Sequence, residues 1–114
     1  MKIAILLGAI VAALAVPAAQ GATTTLRGTV GPGFTITLTK GGTKVTKLKA
    51  GTYRIAVSDK AASHNFHLRG PGVNKMTTVG FTGSTTWTVK VKAGKYTYVC
   101  DPHASNMRGS FVVS

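Results

Sequence analysis

The chain has 114 residues and carries 14 lysines and arginines against 2 acidic residues, both aspartate, with a single cysteine. Asp59 and Asp101, without any glutamate, supply no nucleophile–base–acid set, which argues against hydrolytic chemistry. One cysteine makes no internal disulfide, so its thiol needs another occupation.

Met1-Lys2 is a short basic start, Ile3 to Val16 is almost wholly apolar, and Pro17 to Gly21 supplies small residues. This pattern reads as a secretory signal peptide over residues 1–21, cut after Gly21, with a cut after Ala18 as the rival. The apolar run is short for a membrane span. No cysteine follows it to carry a lipid. The remainder, residues 22–114, is one small domain, expected to be exported to a periplasm or the extracellular space. Losing Lys2 with the leader takes the formal net charge from +12 to +11. Such an excess speaks to acidic partners, not to fold. The lysines are scattered along strands and not clustered with exposed aromatics, so nucleic acid is not an expected partner. An acidic docking surface on a protein, or peripheral contact with an anionic membrane, fits better.

From Thr23 onward short alternating runs are separated by glycine-rich breaks, the mark of a sandwich or barrel. Thr24 to Val30 is the first strand, stopped by Gly31-Pro32-Gly33. Phe34, Ile36 and Leu38 alternate with threonines in a half-buried second strand that ends at Gly41-Gly42. Val45 to Lys49 is a weaker strand, and Tyr53, Ile55 and Val57 alternate again. Ser58 to Ser63 is a polar loop that leads into Ser63 to Leu68 and the Gly70-Pro71-Gly72 turn. Val73 to Gly83 is a long connection with little alternation. Thr85 to Lys92, Tyr96 to Cys100 and Gly109 to Val113 complete the chain. Seven or eight strands suffice for two packed antiparallel sheets.

The strand Tyr96 to Cys100 runs into the lone cysteine, with His103 three positions later and Met107 four after that. Thiolate, imidazole and thioether are donors that suit copper in both oxidation states, two imidazoles and a thiolate making a plane with a weak axial thioether. The set needs a second imidazole. Strand parity places His64 with Phe66 and Leu68 on the core face, and His67 with Asn65 and Arg69 on a face that looks solvated. His64 is therefore the expected ligand beside Cys100, His103 and Met107, and His67→Ala should be mild. A lone histidine among apolar neighbours is ordinarily a core residue, and a methionine ordinarily core filling. Together with Cys100 they read as a metal site. Asn65, next to His64, is placed to tie its strand to the ligand loop by a hydrogen bond.

These residues resemble a known family. Gly94, Tyr96, Tyr98, Cys100, Pro102 and His103, followed by Met107, Gly109, Phe111 and Val113, form a pattern similar to that of the small blue copper proteins, or cupredoxins. The plastocyanin and amicyanin branch is nearest, and His64-Asn65-Phe66-His67 is similar to the H-N-x-H form of amicyanin. The resemblance implies an all-β Greek-key sandwich with one type 1 copper held by His64, Cys100, His103 and Met107. It implies a tyrosine-corner role for Tyr96, and His103 as the partly exposed ligand through which electrons pass. Three residues separate His103 from Met107, against four in plastocyanin and two in amicyanin, and loop length affects axial geometry and potential. Val99 stands where plant plastocyanin carries a tyrosine linked to a remote acidic patch, so that second route is not expected.

The leading expectation is a monomeric, exported one-electron carrier that serves a redox protein partner and is not an enzyme. Oxidases and nitrite reductases of this kind need further histidines for a second copper centre. The alternative is a copper chaperone or buffer without a shuttle role. Only Met76 and Met107 remain after the leader, fewer methionines than many chaperone sites use. A metal-free interaction module is the third reading.

Overall fold

The computed structural model describes residues 23–114. The leader expected at residues 1–21 lies outside the described residues. Alternating apolar positions build ten strands: β1 (Thr24–Val30), β2 (Ile36–Lys40), β3 (Thr43–Lys44), β4 (Lys47–Leu48), β5 (Gly51–Asp59), β6 (His67–Gly70), β7 (Val73–Met76), β8 (Gly83–Val91), β9 (Gly94–Val99) and β10 (Arg108–Val113). Among the described residues one 3-10 turn, Asp101–His103, follows β9. The strands form two five-stranded sheets, ordered β3-β2-β1-β5-β8 and β4-β10-β9-β6-β7. Among the described residues no helix is long and apolar enough to cross a membrane.

Period-two patterning sends Leu26, Val30, Leu38, Ile55, Val57, Val89 and Val91 inward from the first sheet. They meet Leu68, Tyr96, Tyr98, Phe111 and Val113 from the second, in one continuous core. Gly28 sits on that inner face because a Cβ there would come 2.8 Å from the Phe66 ring. The space lets Phe66 stack on Tyr98, their centroids 5.7 Å apart and their planes 5° from parallel.

The count exceeds seven or eight for two reasons. The Val45 to Lys49 stretch is not one strand: the chain passes from one sheet to the other there. Val45 N donates to Leu38 O in the first sheet, while Thr46 O accepts from Val112 N in the second. β3 and β4 are the short pieces on either side of that crossing. The long connection expected at Val73 to Gly83 begins with a real strand, β7, an edge strand whose exposed outer residues hide the alternation. Nor are the sheets wholly antiparallel. The crossing returns the chain beside β1 in the same sense, so β1 and β5 pair in parallel, as do β10 and β4.

All this places loops at two ends. One end gathers the β1–β2 loop, the β5–β6 loop and the β9–β10 loop. The other gathers Gly41-Gly42, Gly51, the β6–β7 turn and the β8–β9 turn. Tyr96 pins this second end. Its hydroxyl accepts from Lys92 N at 3.0 Å and shares its proton between Pro71 O at 2.9 Å and Lys92 O at 3.0 Å, the tyrosine-corner arrangement. Gly70 is required opposite it, since a Cβ there would fall inside the Tyr96 ring. Tyr96→Phe keeps the packing and loses these bonds, so it should cost about 1–2 kcal/mol. Urea unfolding of the metal-free protein would show this as a lower midpoint with an unchanged slope.

Candidate metal centre

The first end of the sandwich holds the donors. Cys100 directly follows β9, and Pro102 lies within the 3-10 turn Asp101–His103 that brings His103 back towards it. His103 N donates to Cys100 O at 3.0 Å, Met107 N to His103 O at 2.8 Å, and Cys100 N to Met107 O at 3.0 Å. These bonds close the loop from Cys100 to Met107 onto itself. His64 comes from the β5–β6 loop, where its N–H donates to Ala61 O at 3.2 Å. It is therefore not on a strand, although it is buried beside Phe66 and Leu68. Gly31 gives it room: its φ is +74°, and a Cβ there would stand 3.1 Å from the His64 ring.

His64 Nδ1 and His103 Nδ1 lie 3.2 Å apart, and Cys100 Sγ lies 3.6 Å from the first and 3.5 Å from the second. The centre of such a triangle is about 2.0 Å from each corner, a metal–ligand distance. One shared proton can satisfy only one edge of three mutually repelling electron-pair donors. A cation at the centre satisfies all three. His64 and Cys100 are buried and His103 is half-buried. Met107 is buried in the cluster that contains Cys100. Thiolate and two imidazoles with a neighbouring thioether are a donor set for copper.

A polar frame surrounds this triangle. Asn65, 1 % exposed, accepts from Asp101 N through Oδ1 at 2.7 Å. Its Nδ2 donates to Asp101 Oδ2 at 2.8 Å and to Thr77 O at 3.1 Å. One side chain thus joins the His64 loop, the Cys100 loop and the chain after β7. Thr77 adds a bond from its hydroxyl to Asp59 Oδ2 at 3.2 Å and accepts from Phe66 N at 2.9 Å.

His67 is a correction. It shares a face with Asn65 and Arg69, but that face is covered at this end, and His67 is only 7 % exposed. Its Nδ1 donates to Asp101 at 2.9 Å, and its Nε2 lies 2.7 Å from the Asn74 side-chain oxygen. Parity sets the side of a sheet, not whether a loop folds over it. Burial pushes the Asp101 carboxyl up, but hydrogen bonds from Asn65 and His67, with the charges of His67 and Arg69, outweigh it and hold Asp101 below the usual carboxylate range.

Phe34 is the second correction. It does not continue the alternation of Ile36 and Leu38; it precedes β2 and is 63 % exposed. Its ring stands edge-on to both imidazoles, with centroids 5.5 Å from His64 and 5.0 Å from His103. The residues missed by sequence reasoning are Phe34, Asp101, Asn74 and Thr77. The only signal for any of them was an aromatic at the tip of a Gly-Pro-Gly turn.

Truncation separates frame from donors. Asn65→Ala leaves Asp101 N and Thr77 O without their partner and should destabilise the metal-free protein by about 2–4 kcal/mol. His67→Ala should cost about 1–3 kcal/mol by leaving Asp101 and Asn74 unpaired, and is no longer a mild change. Denaturant unfolding measures both, and copper titration of His67→Ala should show the metal still bound.

Comparison with known proteins finds matches among copper proteins. Reduced rusticyanin superposes with a TM-score of 0.62 at 25% identity, over 83% of this chain and 81% of that one. Rusticyanin from Thiobacillus ferrooxidans gives 0.54 at 26% identity, over 83% and 79%. Dithionite-reduced auracyanin from the photosynthetic bacterium Roseiflexus castenholzii shares the fold, with a TM-score of 0.55 at 20% identity over 82% and 99%. No curated protein sequence matches the chain. Residues 16–114 match the family described as copper binding proteins, plastocyanin/azurin family. The chain therefore belongs to the plastocyanin/azurin family of copper-binding proteins, a cupredoxin of the type 1 kind.

Proposed function

We propose that this protein is an exported one-electron carrier, with one copper ligated by His64, Cys100, His103 and Met107. The observation that carries the reading is the triangle of Nδ1, Nδ1 and Sγ atoms with sides of 3.2, 3.5 and 3.6 Å. Copper bound there supplies a one-electron couple. The chain's own residues do the rest. Cys100 and His64, both buried, keep water from the donors. Asn65 and the closed Cys100–Met107 loop hold the donors in one arrangement, which keeps reorganisation small when the charge changes. His103 is half-buried, so its outer edge is the point where a partner can approach within electron-transfer reach. One electron enters from a reduced partner and leaves to an oxidised one, with no atom transferred.

His67 supports a carrier over an oxidase. Both its ring nitrogens are engaged, by Asp101 and Asn74, so no imidazole is left for a second copper. The basic surface favours a redox partner with an acidic face.

The test is a visible spectrum of the purified protein loaded with Cu(II), followed by ascorbate and reoxidation. An intense red-end band that bleaches and returns supports the carrier; copper bound without colour points to a chaperone or buffer. Cys100→Ser should abolish the band. Met107→Leu should retain it and raise the potential, because a weak donor that favours the higher charge has been removed.

A further inference from the structure

The positive charge is not spread evenly over the sandwich. Lys40 ends β2, Lys44 lies in β3, Lys47 in β4, and Lys49 follows it. All four are exposed. Lys40, Lys44 and Lys47 line one surface hollow, and Lys40, Lys47 and Lys49 line the hollow beside it. The acids are elsewhere. Asp59 closes β5 at the copper end, where it is buried and bonded to Thr77, and Asp101 belongs to the ligand loop. The four lysines therefore repel one another with no aspartate to offset them. The crossing between sheets creates this cluster, since it puts β3 and β4, both edge strands, side by side. Lysine on an edge strand also deters edge-to-edge pairing. That role needs one charge per edge and does not require four around adjoining hollows.

From this we infer that the β3–β4 edge is a docking surface for membranes that contain anionic lipid. Two features favour a lipid surface over an acidic protein. The two hollows are lined by lysine and by no arginine. Lysine offers a mobile point charge suited to a diffuse phosphate layer, whereas arginine's rigid fork suits stereospecific carboxylate recognition. Lysines held near an anionic bilayer surface each add attraction to it, so neighbouring lysines act together. The position matters as well. β2 and β10 each run from the copper end towards this patch, so docking there holds the protein while His103 stays free, a strand's length of about 15–20 Å away.

The experiment measures binding of the metal-free and copper-loaded protein to phosphatidylcholine vesicles with and without phosphatidylglycerol. Metal-free protein keeps this test independent of the carrier reading. A quadruple variant with Lys40→Gln, Lys44→Gln, Lys47→Gln and Lys49→Gln is compared with a control of equal charge change: Arg27→Gln, Arg54→Gln, Lys75→Gln and Lys90→Gln. All eight positions are exposed, and thermal unfolding checks that both variants fold. Should the quadruple fail to fold, Lys40→Gln with Lys47→Gln, the pair common to both hollows, replaces it. The patch variant should lose about 10-fold to 100-fold in affinity for phosphatidylglycerol vesicles at low salt, and the control far less. Equal loss in both would reduce the effect to net charge and overturn the inference. So would failure of the unaltered protein to prefer phosphatidylglycerol vesicles, including the case in which it binds only an acidic protein.

Discussion

The site depends on Asn65. Its carboxamide makes three hydrogen bonds, to Asp101 N, Asp101 Oδ2 and Thr77 O. His64 lies where the chain crosses from β5 in one sheet to β6 in the other, and Cys100 lies at the end of β9. The β6–β9 ladder ends at the pair His67 and Val99, just short of both loops. Beyond that pair the Asn65 carboxamide and the His67–Asp101 contact are the directional links to the Cys100 loop, whereas the apolar packing around them is not directional. Hydrogen bonds are directional, and buried ones are expensive to leave unmade. The amide therefore ties the sheet-to-sheet crossing that carries His64 and the β9–β10 loop that carries Cys100 into one frame, and the three donors can be held against their mutual repulsion.

That frame extends outward by the same logic. Asp101 is the node: Asn65 donates to one oxygen, and His67 donates across both. Asp101 is 42 % exposed on its side chain, so solvent weakens each contact taken alone. Its partners, however, are buried and bonded in turn, His67 to Asn74 and Asn65 to Thr77. The arrangement resembles the supporting partners that orient metal ligands generally, where the groups behind the donors set their geometry. It also explains why two acidic residues suffice in so basic a chain. Both are at the copper end, and both serve as hydrogen-bond acceptors within the frame.

Much of the architecture was legible in the sequence because alternation is a direct image of a two-faced strand. β1, β5, β8, β9 and β10 bury on one face the apolar residues that recur every second position, from Leu26 to Val113. Where one face is not covered by a second layer, or both are, the image blurs. β7 carries three exposed residues in four and reads as a loop. His67 sits on a strand face that the ligand loop covers, and periodicity has no access to a loop folded over from elsewhere. The four candidate ligands were legible for a different reason. Three lie within one short loop, where spacing constrains position, and His64 was selected by its apolar neighbours. Phe34 escaped because its alternation with Ile36 was accidental: the Gly-Pro-Gly turn had already taken the chain out of the sheet.

The loop from Cys100 to Met107 shows how length and bonding combine. Three residues separate His103 from Met107, and Met107 N bonds back to His103 O in a single helical turn. A turn of that kind brings the Met107 backbone back to His103, while the Cys100 N to Met107 O bond draws the start and end of the loop together. The Met107 backbone is thus held at both its N–H and its carbonyl. Replacing Met107 by another apolar side chain leaves those bonds in place, so its sulfur can be removed without undoing the loop that carries Cys100 and His103.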